Sequence, residues 1–169
     1  YVDEGLNFQS HTYAKYGGEI LRQPGMQAWQ IFDAKSKPLL RSEYFIRRTT
    51  KAEANSLEEL AEKLDGVNPR KFLQTIKAFN EACDASTAFN PNVLDGKATK
   101  GLTIDKTNWA CPIDTPPFHA YHVTTGVTFT FGGVKVTTKA QVENIFGGLI
   151  PGLFAAGECV GGANGANRL

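Results

Sequence analysis

The sequence predicts an α+β protein, and three patterns in its 169 residues lead to this class. Two amphipathic helices, each with its capping residues, follow one another between residues 55 and 83. Stretches rich in β-branched and aromatic residues lie before and after them, at 26–33 and 119–131. From about His119 onward, glycines divide the chain into short apolar runs. Helices and strands that are grouped rather than strictly alternating favour the α+β class over a parallel α/β fold.

The helices are predicted from caps and periodicity. Ser56 and Glu59 have the spacing of a capping box, and the apolar stripe that follows ends before Gly66. Asn68 caps the next helix, with Pro69 at its first position. An apolar stripe through this second helix predicts a packing element rather than a ligand site: Phe72, Ile76, Phe79 and Cys83. A weaker helix is expected over 13–21, where two adjacent glycines lower helix propensity.

The rest of the chain is predicted to be loop and strand. Residues 85–117 form a long polar stretch, which is typical of a lid or connector. Gly132 and Gly133 are expected to end the strand at 119–131 before residues 134–137, and a β-hairpin or meander is expected over 141–151. A last, buried strand is expected at 153–156, leading into a glycine-rich loop.

Charge and composition exclude several functional classes. A hydrophobic content of 41% supports a real core, and a net charge of +1 gives no electrostatic footprint for nucleic acid or an anionic membrane. No run approaches the length of a transmembrane helix. We therefore expect a small-molecule partner, or another part of the same protein.

Cysteine and histidine spacing argues against metal sites. The three cysteines are far apart and form no CxxC pair, which argues against a disulfide framework or zinc and favours a reducing compartment, the cytoplasm. His119 and His122 are three positions apart in a predicted strand, so their rings point to opposite faces. Nothing in the sequence resembles a serine-nucleophile motif.

The strongest chemical signal is the glycine-rich segment at 157–168. Glycine lets the backbone approach a flat or anionic ligand, and Arg168 offers a planar fork of donors for a carboxylate or phosphate. The alternative is a surface loop that happens to contain an arginine. Because no helix follows this segment to cover a ligand, we expect the chain to be a fragment of a larger protein.

Two further stretches have open interpretations. The pair Asp3 and Glu4 is typical of a solvated turn. Lys35, Lys37 and Arg41 follow the strand at 26–33, and they either line a solvated loop or direct one cation into a cleft towards an anionic substrate.

Several stretches resemble the fumarate reductase/succinate dehydrogenase flavoprotein family. Its C-terminal signature is matched by TFGGVKVTTKAQV at 130–142, IPGLFAAGE at 150–158 and GGANGANRL at 161–169. Five shorter stretches resemble the tricarballylate dehydrogenase-like branch of this family: 3–5, 12–16, 23–25, 31–35 and 128–133.

This resemblance implies a split FAD-binding domain with an inserted capping, or catalytic, domain. Residues 1–128 would be most of the capping domain and 129–169 the returning segment of the FAD-binding domain. The GxGxxG fingerprint for a dinucleotide is not in the sequence. The implied cofactor is FAD, and the implied partner is a missing N-terminal FAD-binding segment of the same protein.

The resemblance also implies roles for matched positions. Arg41 matches the catalytic arginine, with Lys35 and Lys37 as offset candidates, and Glu4 matches the glutamate that relays protons to it. Thr128 stands with Phe129 where fumarate reductases have two histidines, a departure that argues against fumarate as substrate. The resemblance further implies that substrate carboxylates would be bound by Arg168, Thr128 and Thr130, and the cofactor by Gly132, Gly133, Gly157, Glu158 and Asn167.

The implied activity is hydride transfer between flavin and a di- or tricarboxylate such as tricarballylate. Two alternatives remain open. In the first alternative, the chain by itself is a non-catalytic capping module that gates the missing FAD-binding domain. In the second, the full-length protein is related to 3-ketosteroid dehydrogenases and has an apolar cleft.

Overall fold

The computed structural model of the chain describes residues 13–126 and 132–161. These residues belong to two compact units, Tyr1–Thr125 and Gly126–Leu169, and each is described by itself. The assignment of residues 1–128 to a capping domain and 129–169 to an FAD-binding domain stays a prediction.

Three helices in the first unit confirm the predictions from caps and periodicity: α1 (Tyr13–Leu21), α2 (Leu57–Glu62) and α3 (Pro69–Ala82). The Ser56 side chain accepts a hydrogen bond from the Glu59 amide at 3.1 Å. The Glu59 carboxylate in return accepts from the Asn55 amide at 3.2 Å, one residue before the position that the standard capping box would use. The Asn68 side chain accepts from the Lys71 amide at 3.0 Å, as expected of an N-cap.

The Asn68 cap gives a testable stability prediction. Asn68→Ala is expected to lower the free energy of unfolding by about 1 kcal/mol, because the Lys71 amide loses its acceptor at the start of α3. Urea denaturation followed by far-UV circular dichroism measures this loss. Asn92→Ala, in an exposed part of the long loop, is the matched control and is expected to change stability by less than about 0.5 kcal/mol. Equal effects of the two substitutions would contradict the capping role.

The described part of the first unit contains a sheet of three antiparallel strands in the order β1-β3-β2: β1 (Gln27–Phe32), β2 (Lys51–Ala54) and β3 (Phe118–Thr124). The strand predicted at 26–33 is confirmed as β1. The strand predicted at 119–131 was too long, because β3 ends at Thr124 and the chain is not extended as a strand at 125–126. Residues 127–131 lie outside the described residues.

The core of this unit lies between one face of the sheet and helices α2 and α3. Leu60 is fully buried there, and the predicted stripe of α3 buries Phe72 and Ile76, while Phe79 and Cys83 are half-buried. The core cluster of buried residues consists of Ala54, Leu60, Ala61, Leu64, Phe72, Ile76, Phe118 and Ala120. The opposite face of the sheet is therefore left for polar and aromatic side chains.

The predicted loop at 85–117 contains no helix or strand, as expected. Its order comes from aspartates that accept backbone hydrogen bonds and from one buried lysine. Asp95 accepts from the amides of Lys97 and Trp109, each at 2.9 Å. The buried Lys97 ammonium donates to the carbonyls of Asp84 and Thr87. These two carbonyls satisfy the buried ammonium and fix the loop at this point.

The second unit contains an antiparallel hairpin of β4 (Gln141–Glu143) and β5 (Leu149–Phe154), which confirms the predicted hairpin. The Asn144 side chain closes its turn by accepting from the amides of Phe146 at 2.8 Å and Gly148 at 3.1 Å.

The separate buried strand predicted at 153–156 was wrong on two points. Residues 153 and 154 are the end of β5, and every residue of β5 is exposed. The physical reason is that β5 has a hairpin neighbour along one edge, and no layer of the described part of this unit covers its faces. Apolar composition predicts that the side chains of a strand pack against a partner surface, but it does not identify that surface.

Candidate functional site

A buried carboxylate fixes the turn that follows β1. Asp33 is 1% exposed and accepts hydrogen bonds from the amide and hydroxyl of Ser36 at 3.1 Å. Its second oxygen accepts from the amides of Asp114 and Thr115, both at 3.3 Å. One side chain therefore joins the end of β1, the cation-rich turn after it, and the end of the long loop.

Lys35 is held in this structural network. Its ammonium lies 3.2 Å from Asp33, pairs with Asp114 and donates to the Pro112 carbonyl at 3.1 Å. Burial works against its charge, but the hydrogen bonds to Asp114 and Asp33 outweigh this effect and raise the pKa of Lys35 above its usual value. Among the three predicted cations, Lys35 is the one that serves the fold.

Lys37 and Arg41 lie further along the same segment. The Lys37 ammonium is 4.0 Å from a carboxylate oxygen of Glu53, on β2. Arg41 immediately precedes the 3-10 turn Ser42–Phe45 and lies 3.6 Å from Glu43, with 63% of its side chain exposed. The structure thus places the two candidates in different surroundings.

An imidazole–carboxylate pair lies on the sheet face opposite the helices. His119 Nδ1 is 3.0 Å from the Glu53 Oε2 atom, which assigns the Nδ1 proton to this hydrogen bond. The His119 side chain is 4% exposed. Its Nε2 atom is buried and has no hydrogen-bond partner among the described residues. Burial lowers the pKa of His119, as does the charge of Lys37, while Glu53 opposes this change.

His122 lies on the other face, as the sequence predicted for this pair. Its ring packs edge-on against Trp29 at 4.9 Å, and its Nε2 is 3.0 Å from the Gln27 side-chain oxygen. Sequence reasoning considered His119 only as a metal ligand and missed its pairing with Glu53. The signal would have been the strand register, in which Glu53 and Phe32 flank His119 from the two neighbouring strands.

The lowered pKa of His119 predicts a pH dependence of stability. The folded chain binds this proton less tightly than the unfolded chain, whose histidine has a pKa near 6.5. The contribution of His119 is therefore fully present above about pH 6.5 and is lost as the pH falls towards the folded pKa. Urea unfolding between about pH 5.5 and 7.5 should show a steeper acid-side loss for the wild-type chain than for His119→Phe. Parallel profiles would contradict this assignment.

Three aromatic rings cover the same sheet face next to His119. The Tyr44 ring packs against Tyr121 at 4.9 Å and against Phe32 at 5.7 Å. Its hydroxyl donates to the Gln30 side-chain oxygen at 2.8 Å, and burial raises the pKa of Tyr44. The 3-10 turn Ser42–Phe45 is therefore fixed to the sheet beside the cation segment.

Four of the five predicted cofactor-binding positions lie in the described part of the second unit. Gly157 has φ of +79°, and a Cβ at Gly157 or Gly132 would meet no atom within 4 Å. Gly133 differs, since a Cβ there would be 2.4 Å from the Cys159 carbonyl oxygen. Its glycine is required by backbone packing, and cofactor contact at Gly133 stays a prediction. The other predicted site residues, Glu4, Thr128, Thr130, Asn167 and Arg168, lie outside the described residues.

Comparison with known proteins assigns the family. The profile of a family described as FAD binding domain matches residues 9–169. The chain belongs to this FAD-binding family. A curated relative, the fumarate reductase (cytochrome) of Shewanella frigidimarina, is 34% identical over 98% of this chain and 27% of its own length. The chain thus spans about a quarter of the length of this relative.

Solved structures agree with this assignment. The open conformation of a flavocytochrome c3 fumarate reductase matches 99% of this FAD-binding chain and 27% of its own chain, with a TM-score of 0.70 and 26% sequence identity. The 3-ketosteroid Δ1-dehydrogenase of Sterolibacterium denitrificans matches 90% of the chain and 31% of its own, with a TM-score of 0.60. At 21% identity, this second likeness shows the fold alone.

FAD, the cofactor predicted from the sequence, is confirmed by the family match. The described residues fit part of an FAD site: the Gly157 backbone faces open space at the end of an uncovered apolar strand, and the exposed Glu158 carboxylate can accept hydrogen bonds from hydroxyl groups. No group of three or more metal-ligating side chains occurs in the parts of the chain that the structure describes. Within the same parts, no helix has the length and apolarity to cross a membrane.

Proposed function

We propose that this chain is part of an FAD-dependent oxidoreductase that transfers a hydride between the flavin and a di- or tricarboxylate, with tricarballylate as the leading substrate. The observation that carries the proposal is the family match over residues 9–169, together with similarity along almost the whole chain to a fumarate reductase. The motif matches to the tricarballylate branch and the Thr128-Phe129 departure favour tricarballylate over fumarate.

Charge in the cation-rich segment supports an anionic substrate. Between residues 35 and 51 the chain has six cations and a single acidic residue, Glu43. Lys35 is held by Asp33 and Asp114. No ion pair is found for Arg47 or Arg48 among the described residues. A local excess of positive charge draws a polycarboxylate towards this turn.

The proposed chemistry assigns each residue a limited task. FAD, when bound, supplies the hydride acceptor or donor. Arg168 holds one substrate carboxylate and fixes the geometry of the reacting carbon. A cation of the segment after β1 holds a second carboxylate and favours loss of a proton at the adjacent carbon, with Glu4 as its proton partner.

The division of the protein follows the same proposal. The first unit is proposed to be the capping domain and the second a returning part of the FAD-binding domain. Because the chain lacks GxGxxG, we expect the 169-residue chain alone to be colourless and inactive, and the full-length protein to be yellow.

A substrate panel tests the proposed activity. The full-length protein is assayed for dye-linked oxidation of tricarballylate, succinate and a 3-ketosteroid, with trimethyl tricarballylate as the uncharged control. Oxidation of tricarballylate, with the triester inert, is the expected result. Oxidation of the steroid alone, or equal rates with the triester, would contradict a carboxylate substrate.

A further inference from the structure

Three side chains form a chain of contacts on the sheet face opposite the helices. Glu53 Oε2 lies between the other two, 3.0 Å from His119 Nδ1 and 4.0 Å from the Lys37 ammonium. The three belong to different elements: Glu53 is on β2, His119 on the central strand β3, and Lys37 in the 3-10 turn Lys37–Leu39 after β1. The contact therefore connects the middle of the sheet to the predicted cation segment.

Only the histidine end of this chain of contacts is buried. The side chain of His119 is 4% exposed, whereas those of Glu53 and Lys37 are 58% and 41% exposed. A glutamate on a surface strand normally samples several rotamers, and holding it in one costs conformational entropy. A buried imidazole N–H that donates to it offsets this cost and fixes one of its oxygens.

The surroundings lower the pKa of His119 and so favour the neutral imidazole, whose Nδ1–H donates to Glu53. Lys37 and Lys51 disfavour the imidazolium, Glu53 favours it, and burial is the largest effect. Tyr44 and Tyr121 line the same face. A neutral His119 places no second positive charge beside Glu53 that would compete with Lys37.

Lys37 is connected to a residue of the sheet and is also open to a ligand. Lys35 already has two carboxylates and a carbonyl as partners. Arg41 lies 3.6 Å from Glu43, two residues further along the chain, so this ion pair is local. Lys37 is placed by a residue of the sheet, and at 4.0 Å its ammonium retains donors for a second anion.

We propose that Lys37 is the cation that binds a substrate carboxylate, and that Glu53 and His119 are the positioning residues that hold its ammonium in place. This inference rests on the proposed function and names the cation that the motif comparison left open. His119 acts through Glu53, and Glu53 acts on the substrate only through Lys37.

A set of variants of the full-length enzyme tests this inference by steady-state kinetics with tricarballylate. Lys37→Gln is expected to raise KM at least tenfold, because a charged donor to a carboxylate is lost. His119→Phe keeps a ring but removes the donor, and is expected to raise KM about tenfold with a smaller change in kcat. His119→Asn places an amide N–H near the Nδ1 position and is expected to restore KM to within about threefold of wild type.

Two controls separate positioning from general destabilisation. Lys77 is an exposed lysine of α3 with a comparable contact, 3.8 Å from Glu81, so Lys77→Gln is expected to leave KM unchanged. In the double variant Lys37→Gln/His119→Phe, KM is expected to equal that of Lys37→Gln alone, since His119 acts only through Lys37.

The outcomes distinguish this inference from the proposed function. Three results would overturn the inference while wild-type oxidation of tricarballylate stands. They are an unchanged KM in Lys37→Gln, equal KM values for the two His119 variants, and additive effects on KM in the double variant. Wild-type enzyme that neither binds nor oxidises any carboxylate would overturn the proposed function, and the inference with it.

Discussion

Replacing Arg168 by lysine in the full-length protein is expected to lower the turnover of tricarballylate by about a hundredfold or more while FAD stays bound. The guanidinium presents two parallel donors to a carboxylate, and an ammonium cannot reproduce that geometry. A substrate held less firmly spends less time with its reacting carbon in position, so kcat is expected to fall together with kcat/KM.

Steady-state kinetics combined with the visible flavin spectrum measures both parts of this prediction. The matched control is Arg70→Lys, an exposed arginine in the first turn of α3, which is expected to leave turnover unchanged. Near-normal turnover of Arg168→Lys would remove Arg168 from the mechanism. Loss of the flavin band in this variant would instead assign Arg168 to cofactor binding.

Asp33→Ala is expected to lower the free energy of unfolding of the chain by about 3 kcal/mol or more. The substitution leaves four backbone or hydroxyl donors without their acceptor, those of Ser36, Asp114 and Thr115. It also removes one of the two carboxylates that hold Lys35. The turn that carries Lys37 and Arg41 is expected to lose its anchor at the same time.

Urea denaturation of the 169-residue chain measures this loss. Asp33→Asn retains one carbonyl acceptor at the same position and is expected to cost less than Asp33→Ala. Asp65→Ala, an exposed aspartate after α2, is the matched control and is expected to change stability by less than about 0.5 kcal/mol. Equal losses at positions 33 and 65 would contradict the anchoring role of Asp33.

Local chemistry made α2 and α3 predictable from the sequence. Caps such as Ser56 and Asn68 act on amides within one turn, so the residues that decide the structure lie close together in the chain. The hairpin of β4 and β5 was predictable for the same reason, because Asn144 and the neighbouring glycines close its turn locally. The long loop was recognised from its composition.

Features that depend on distant contacts were missed. Strand β2 has the sequence KAEA, which has little β propensity, and it is a strand because it pairs with β3. The contact between Glu53 and His119 follows from that pairing and has no local signal. The exposure of β5 was mispredicted because apolar composition does not reveal which surface covers a strand.

Hydride transfer from tricarballylate to the flavin is tested by an anaerobic titration of the full-length protein with tricarballylate, monitored by its visible absorption spectrum. We expect a yellow protein whose flavin band bleaches with tricarballylate and does not bleach with a 3-ketosteroid. A flavin band that bleaches only with the steroid would contradict the carboxylate chemistry and leave the FAD-binding family assignment intact. A protein without a flavin band would contradict the role of FAD itself.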